Sequence, residues 1–161
     1  MKFSERMQSA INEQINLEMF SANTYLSMST YFAQQGLDGF AHWYYMQYKE
    51  ELTHAEDMMH YVITRGGKVE IKAVAAVETE FNSPLEIAEK AYHHECLVSE
   101  KIENLVRIAS EEKDMPSQDF FWKYIREQVE EEANATNIIE RLRLAEGHAI
   151  LFLDKELAAR Q

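Results

Sequence analysis

Apolar residues recur three and four positions apart along almost the whole chain, the spacing that lines one face of an α-helix. Breakers cut this pattern into four long stretches and a short one. Ser4 is placed to cap a first helix that runs to about Gln35, where Gly36 ends it. Asp38 is placed to cap a second, which continues to the Gly66–Gly67 pair. Ser83, Pro84 and Glu86 form a capping-box start with proline in the first helical position, and a third helix follows to about Glu112. The segment KDMPSQD turns the chain into a fourth helix, from about Ser117 to Glu146. Gly147 breaks the pattern, and HAILFLDKELAA reads as a short, unusually apolar fifth helix. Residues 66–83 carry no helical or strand period. A segment of that length, extended, can travel back along a helix of about 40 Å. The second and third helices are then parallel, joined by one long crossover. The pattern predicts an all-α fold in a single domain spanning residues 1–161, a four-helix bundle with one long crossover and a short fifth C-terminal helix.

The inward stripe of the first helix reads Met7, Ile11, Gln14, Glu18, Ala22, Tyr25, Ser29, Phe32. The second reads Phe40, Trp43, Gln47, Glu51, His54, Met58, Tyr61, and the third Leu85, Ala88, Tyr92, Glu95, Ser99, Ile102, Val106, Ala109. The fourth reads Phe121, Tyr124, Gln128, Glu131, Ala135, Ile138, Leu142, Ala145. Each stripe is mostly apolar or aromatic, and one glutamate interrupts each. All four glutamates lie near the middles of their helices. At about 1.5 Å of rise per residue their heights agree to less than a turn, whichever way each helix points. Four carboxylates therefore converge at one level on the bundle axis, with His54 one turn beyond Glu51.

Burying an unpaired carboxylate costs several kcal/mol, and the stripes offer no Lys or Arg near that level. Protonation neutralises some of the charge; two divalent cations balance four carboxylates completely. One imidazole nitrogen in an oxygen-rich set suits iron or manganese better than the sulfur- or histidine-rich sites of structural zinc. Glu51, between helices, is best placed to bridge two metals. The neighbouring polar residues have plainer readings. Tyr25 serves equally as core packing, and Gln128 as a hydrogen-bonded core amide. Asp57 and His60 lie off the stripe and read as a solvated face. His42, His93, His94 and His148 lack carboxylate partners at the right level and read as surface or interface residues. Cys96 reads as a plain buried thiol.

Composition narrows the class. The chain has 161 residues, 46% hydrophobic and 27% charged, which is ordinary for a globular protein. No run approaches the roughly 20 apolar residues of a membrane span. The N-terminal MKFSERMQSA enters the amphipathic pattern without an apolar signal core, so a cytoplasmic location is expected. The single cysteine excludes an internal disulfide and any CxxC metal knuckle. A net charge of −12 argues against nucleic acid and suits a protein that attracts cations, although solubility alone also explains it.

INEQINLEMFSANTYL, EELTH, REQVEEEANA and the short terminal helix together resemble the bacterial non-haem ferritins of the ferritin-like di-iron family, over essentially the whole chain. The resemblance implies two iron positions, one held by Glu18, Glu51 and His54 and the other by Glu51, Glu95 and Glu131, with Gln128 close by. It makes Tyr25 a tyrosine that donates an electron or holds a hydrogen bond. It also implies a third iron position at Glu50, Glu127 and Glu130, with Glu131 shared; from spacing alone that acidic run reads as a solvated face. Two departures separate the chain from bacterioferritins. Glu131 is followed by Asn134 rather than by a histidine, and Leu52 stands where a haem-ligating methionine is expected, so no haem is implied. One cysteine cannot build the iron domain of a rubrerythrin, and miniferritins place their metals between subunits.

The implied activity is a ferroxidase: oxidation of Fe(II) by O2 or H2O2 at the di-iron centre, with storage of a ferric mineral inside a homo-oligomeric shell, a 24-mer by family resemblance. The surplus apolar residues of AILFL agree with an assembly interface. Two other readings stand beside it, a non-catalytic helical bundle that buffers metal and a structural oligomer with protonated core glutamates.

Overall fold

The computed structural model describes residues 3–161. It contains α1 (Glu5–Gln34), α2 (Asp38–Thr64), α3 (Pro84–Glu111), α4 (Met115–Leu144) and, after a 3-10 turn at Gly147–Ala149, α5 (Ile150–Leu157). Among the described residues there is no strand, and no helix is long and apolar enough to cross a membrane. The fold is the four-helix bundle with a long crossover and short fifth helix that the pattern predicts.

Four boundaries differ from the sequence reading, the first two for a local reason. Asp38 is the first residue of α2 rather than its cap. Gly36 takes φ +74°, and the Leu37 amide reaches back to the Phe32 carbonyl at 3.0 Å, closing α1 in a Schellman turn. The Leu37 carbonyl immediately accepts from the Ala41 amide at 3.0 Å and starts α2. The fourth helix begins two residues early because Asp114 is its cap; Asp114 accepts from the Ser117 amide at 3.3 Å and pairs with Arg65 at 3.0 Å. That pair ties the end of α2 to the start of α4. Helix α4 also ends at Leu144, and the fifth helix is confined to Ile150–Leu157.

The crossover lies along α1, held by a ladder of polar side chains. Gln8 Oε1 accepts from the Lys68 amide at 2.8 Å, and the Asn12 side chain both donates to the Lys68 carbonyl and accepts from the Glu70 amide, each at 2.9 Å. Asn16 donates to Ala73 O at 3.1 Å and Ser27 to Glu78 O at 2.6 Å. The chain thus climbs from the N-terminal to the C-terminal end of α1, so α3 starts beside the start of α2 and runs parallel to it. Extended backbone without a sheet partner needs such acceptors and donors, and Gln8, Asn12 and Asn16 supply them from one face at helical spacing.

The buried apolar residues separate into two clusters. One holds Tyr25, Phe32, Phe40, Tyr44, Ile138 and their neighbours, with Leu153 and Leu157 from α5. The other holds Met7, Ile11, Met58, Ile102, Phe121, Tyr124 and theirs. Between the two lies the polar layer described below. The α1 and α4 stripes read from the sequence are buried almost position for position. On α2 and α3 the buried face is turned slightly, with Tyr44, Ala55 and Val62 replacing Trp43, His54 and Tyr61, and Ala91, Val98 and Leu105 replacing Tyr92, Ser99 and Val106. Within a stripe wider than one residue, three-and-four spacing alone cannot fix the centre.

Gly39 sets the position of α5. A Cβ there would lie 1.7 Å from the Asp154 carbonyl oxygen, a backbone atom that moves only with the helix. The Asp154 side chain accepts from the Phe40 amide at 2.9 Å across the same contact. Gly39→Ala is therefore expected to push α5 off α2 and cost about 2 kcal/mol or more. Denaturant unfolding reads the loss, and faster proteolysis within residues 147–161 locates it; an unchanged midpoint would refute the close-contact role.

Candidate metal centre

Glu18 on α1, Glu51 on α2, Glu95 on α3 and Glu131 on α4 are all buried, and they meet between the two apolar clusters. His54, one turn past Glu51, is 13% exposed at its side chain. Its Nδ1 lies 3.6 Å from Glu51 Oε2 and 3.9 Å from Glu18 Oε2. Ligand atoms of Glu18, Glu51 and His54 all fall within 4.8 Å of one another, a spacing that one metal ion can span.

Three buried amides hold the acids in place. Gln14 donates to Glu18 Oε1 at 2.7 Å, Gln47 to Glu131 Oε2 at 2.9 Å, and Gln128 to Glu95 Oε2 at 3.0 Å. The Tyr25 hydroxyl donates to Glu95 Oε1. Each carboxylate so held is oriented before any metal arrives, as ligands with outer hydrogen-bond partners are. Gln14 and Gln47 were visible in the stripes without a role; a glutamine one turn from a buried glutamate is the signal. The inner oxygens Glu18 Oε2 and Glu51 Oε2 are buried with no hydrogen-bond partner. Such atoms cost free energy unless a cation or proton meets them, and they are hard donors of the kind that iron and manganese favour.

Burial is the first cause of the raised pKa values here. It pushes Glu51 up to about 8 and Glu131 up to about 7, and raises Glu18 and Glu95 as well. Neighbouring carboxylates add to the effect, while the amide and tyrosine hydrogen bonds oppose it. Burial works against charge on His54, but Glu127 and Glu18 outweigh it and hold the imidazole above its ordinary value. Tyr25 is pushed well above the usual phenol range by burial and then by Glu95.

The remaining histidines are distributed differently from the sequence reading. His94 is not a surface residue: it packs edge-on against Tyr25, pairs with Ser21 Oγ at 2.6 Å, and burial lowers it to about 4. His42 is half-buried and donates to the Arg160 carbonyl, whereas His60, His93 and His148 are exposed. Asp57 does face solvent but is tied to Lys123 and accepts from Tyr124 at 3.2 Å, and the Tyr124 ring stands edge-on to His54 at 5.2 Å. Cys96 is half-buried rather than buried.

The ferritin-like domain description matches residues 8–145. A bacterial non-heme ferritin of Bacteroides fragilis is 47% identical over 157 residues, covering 98% of this chain and 99% of the relative. The chain belongs to the ferritin-like family. A bacterial non-heme ferritin of Staphylococcus aureus is 35% identical, covering 98% of this chain and 96% of its own. The crystal structure of an open pore ferritin from the hyperthermophilic archaeon Archaeoglobus fulgidus superposes with a TM-score of 0.97 at 48% identity, covering 99% of this chain and 100% of that one.

In this ferritin-like bundle the outer acids are less tightly gathered than the inner four. Glu127 Oε2 is buried without a hydrogen-bond partner; His54 Nε2 lies 3.3 Å away but is poorly aimed at it. Glu50 is half-buried and accepts from Arg160 at 2.8 Å. Glu130 is exposed. Arg160, outside every stripe, is the basic group that the sequence reading missed.

Proposed function

We propose that the protein is an iron store with ferroxidase activity, taking Fe(II) as substrate at the carboxylate layer. The observation that carries this is the pair of unpartnered buried oxygens, Glu18 Oε2 and Glu51 Oε2, beside His54; the family's iron-storage relatives agree. One Fe(II) is held by Glu18, Glu51 and His54, the second by Glu51, Glu95 and Glu131 with Gln128 nearby, and Glu51 bridges. A third ion position is assigned to Glu50, Glu127, Glu130 and Glu131. Metal binding displaces the protons that burial keeps on the acids. Two Fe(II) ions then give one electron each to dioxygen, which takes up two protons to leave as peroxide; with peroxide as oxidant the same two electrons and two protons yield water. Holding the two ions together makes the two-electron step accessible. Tyr25, hydrogen-bonded to Glu95, is placed to keep that ligand oriented or to supply an electron. The Fe(III) moves to the interior of a homo-oligomeric shell, a 24-mer on the family's pattern, and hydrolyses to mineral.

The test adds Fe(II) anaerobically to metal-free protein, admits air, and follows ferric absorbance. Fast oxidation that disappears in His54→Ala supports the ferroxidase. Tight binding without acceleration identifies a metal buffer, and absence of binding leaves a structural bundle.

A further inference from the structure

Arg160 brings a cation from the C-terminal segment to the rim of the carboxylate layer. Its Nη2 donates to Glu50 Oε2 at 2.8 Å and its Nη1 to the Trp43 carbonyl at 3.2 Å. The guanidinium also lies 4.6 Å from the centre of the Trp43 ring, and the Arg160 carbonyl accepts from His42 Nε2 at 2.5 Å. A lone ion pair this exposed would contribute little, with Glu50 38% exposed at its side chain. Here two further contacts to Trp43 fix the planar guanidinium and His42 holds the Arg160 backbone, so the charge is held at one place rather than sampling solvent.

Its place matters because of its neighbours. Glu50, Glu127, Glu130 and Glu131 are the acids assigned to the third ion, and among the described residues Arg160 is the one lysine or arginine paired with any of them. A divalent ion on Glu50 would sit within a few ångströms of the guanidinium, where like charges repel strongly at the low dielectric of a partly buried rim.

We propose that Arg160 is a tethered competitor for the third ion position: it occupies Glu50, weakens divalent-cation binding there, and leaves α2 when a metal ion takes that carboxylate. This rests on the third position assigned above. Because binding linkage is reciprocal, loading that position loosens the C-terminal segment by the same factor that the segment weakens the ion.

Co(II), which air does not oxidise under these conditions, is the probe. Titration of metal-free wild-type protein is expected to show two tight ions per chain and a weak third. In Arg160→Gln the third tightens roughly tenfold, within the usual range of such couplings, while the first two are unchanged. Arg160→Lys, which keeps the charge, leaves the third weak. Hydrogen exchange over residues 150–161 supplies a readout independent of affinity: it accelerates in metal-free Glu50→Gln, and in wild type only as the third equivalent binds. A third ion equally weak in Arg160→Gln, or absent in both proteins, overturns the proposal, as does a tail whose exchange ignores the third equivalent. Failure to bind even the first two ions overturns the ferroxidase reading instead.

Discussion

Glu51→Gln is expected to make the metal-free protein more stable while slowing Fe(II) oxidation on the order of 100-fold or more. Glu51 is 3% exposed, its inner oxygen has no hydrogen-bond partner, and burial raises its pKa to about 8. In the unfolded chain a glutamate titrates near ~4.3. Below that value the carboxyl is protonated in both states and the burial of a neutral acid costs nothing electrostatic. As pH rises from about 4.3 to about 8, the unfolded chain releases the proton first, so folding must take it back up and stability falls. Glu131, raised to about 7, and Glu18, raised by burial and by the charge of Glu51, act in the same direction. Metal-free wild-type protein should therefore be less stable at pH 8.5 than at pH 5.5. Glutamine keeps the shape of the side chain without the titration, and its gain should be about 3 kcal/mol larger at pH 8.5 than at pH 5.5. Denaturant unfolding in chelator at the two pH values measures both. A wild type that gains stability toward alkaline pH, or a Gln variant no firmer than wild type at pH 8.5, would sink the idea that these acids are strained without a cation.

Ending the chain at Glu146 should have the second largest effect, collapsing the proposed shell to small species and lowering the unfolding midpoint. Helix α5 faces two ways. Leu153 and Leu157 are buried in the bundle's own core, where each contributes about 1.5–3 kcal/mol by leaving water. Leu151 and Phe152 point away from it and are 55% and 75% exposed, an apolar pair that none of the described residues covers. Truncation removes both faces at once, so a second variant separates them. Leu151→Lys with Phe152→Lys leaves the inner contacts and the Asp154 bond to Phe40 intact, and should give folded but dispersed subunits. Light scattering reports size and circular dichroism reports folding. Shells of unchanged size in either variant would refute an assembly role for α5.

The carboxylate layer was legible because helical periodicity fixes both which face a residue takes and how high it stands. Glu18, Glu51, Glu95 and Glu131 each broke an otherwise apolar stripe at mid-helix, and no packing of four such stripes keeps them apart. His54 was legible for the same reason, as Glu51's neighbour one turn on. Tyr25 was visible but ambiguous; only its hydroxyl on Glu95 distinguishes it from packing. His94, which lacks a carboxylate partner and reads as a surface or interface residue, is half-buried, edge-on to Tyr25 and paired with Ser21 Oγ.

Other features could not be read from one segment at a time. Gln47 stands one turn from Glu51 on its own helix, yet it holds Glu131 on α4. The pairing of Arg160 with Glu50 joins residues separated by more than a hundred positions, and depends on α5 folding back over Gly39.

By itself, then, the order of residues determined the number of helices, the buried faces of α1 and α4 and the depth at which the acids meet, since each follows from a repeat of about 3.6 residues per turn acting within one helix. The choice of donor for each acid, the place of His94 inside the bundle and the seat of the C-terminal guanidinium were decided only by the packed structure. Those are contacts between segments, and whether they form depends on interhelical distance and on the few places, such as Gly39, where two backbones can touch.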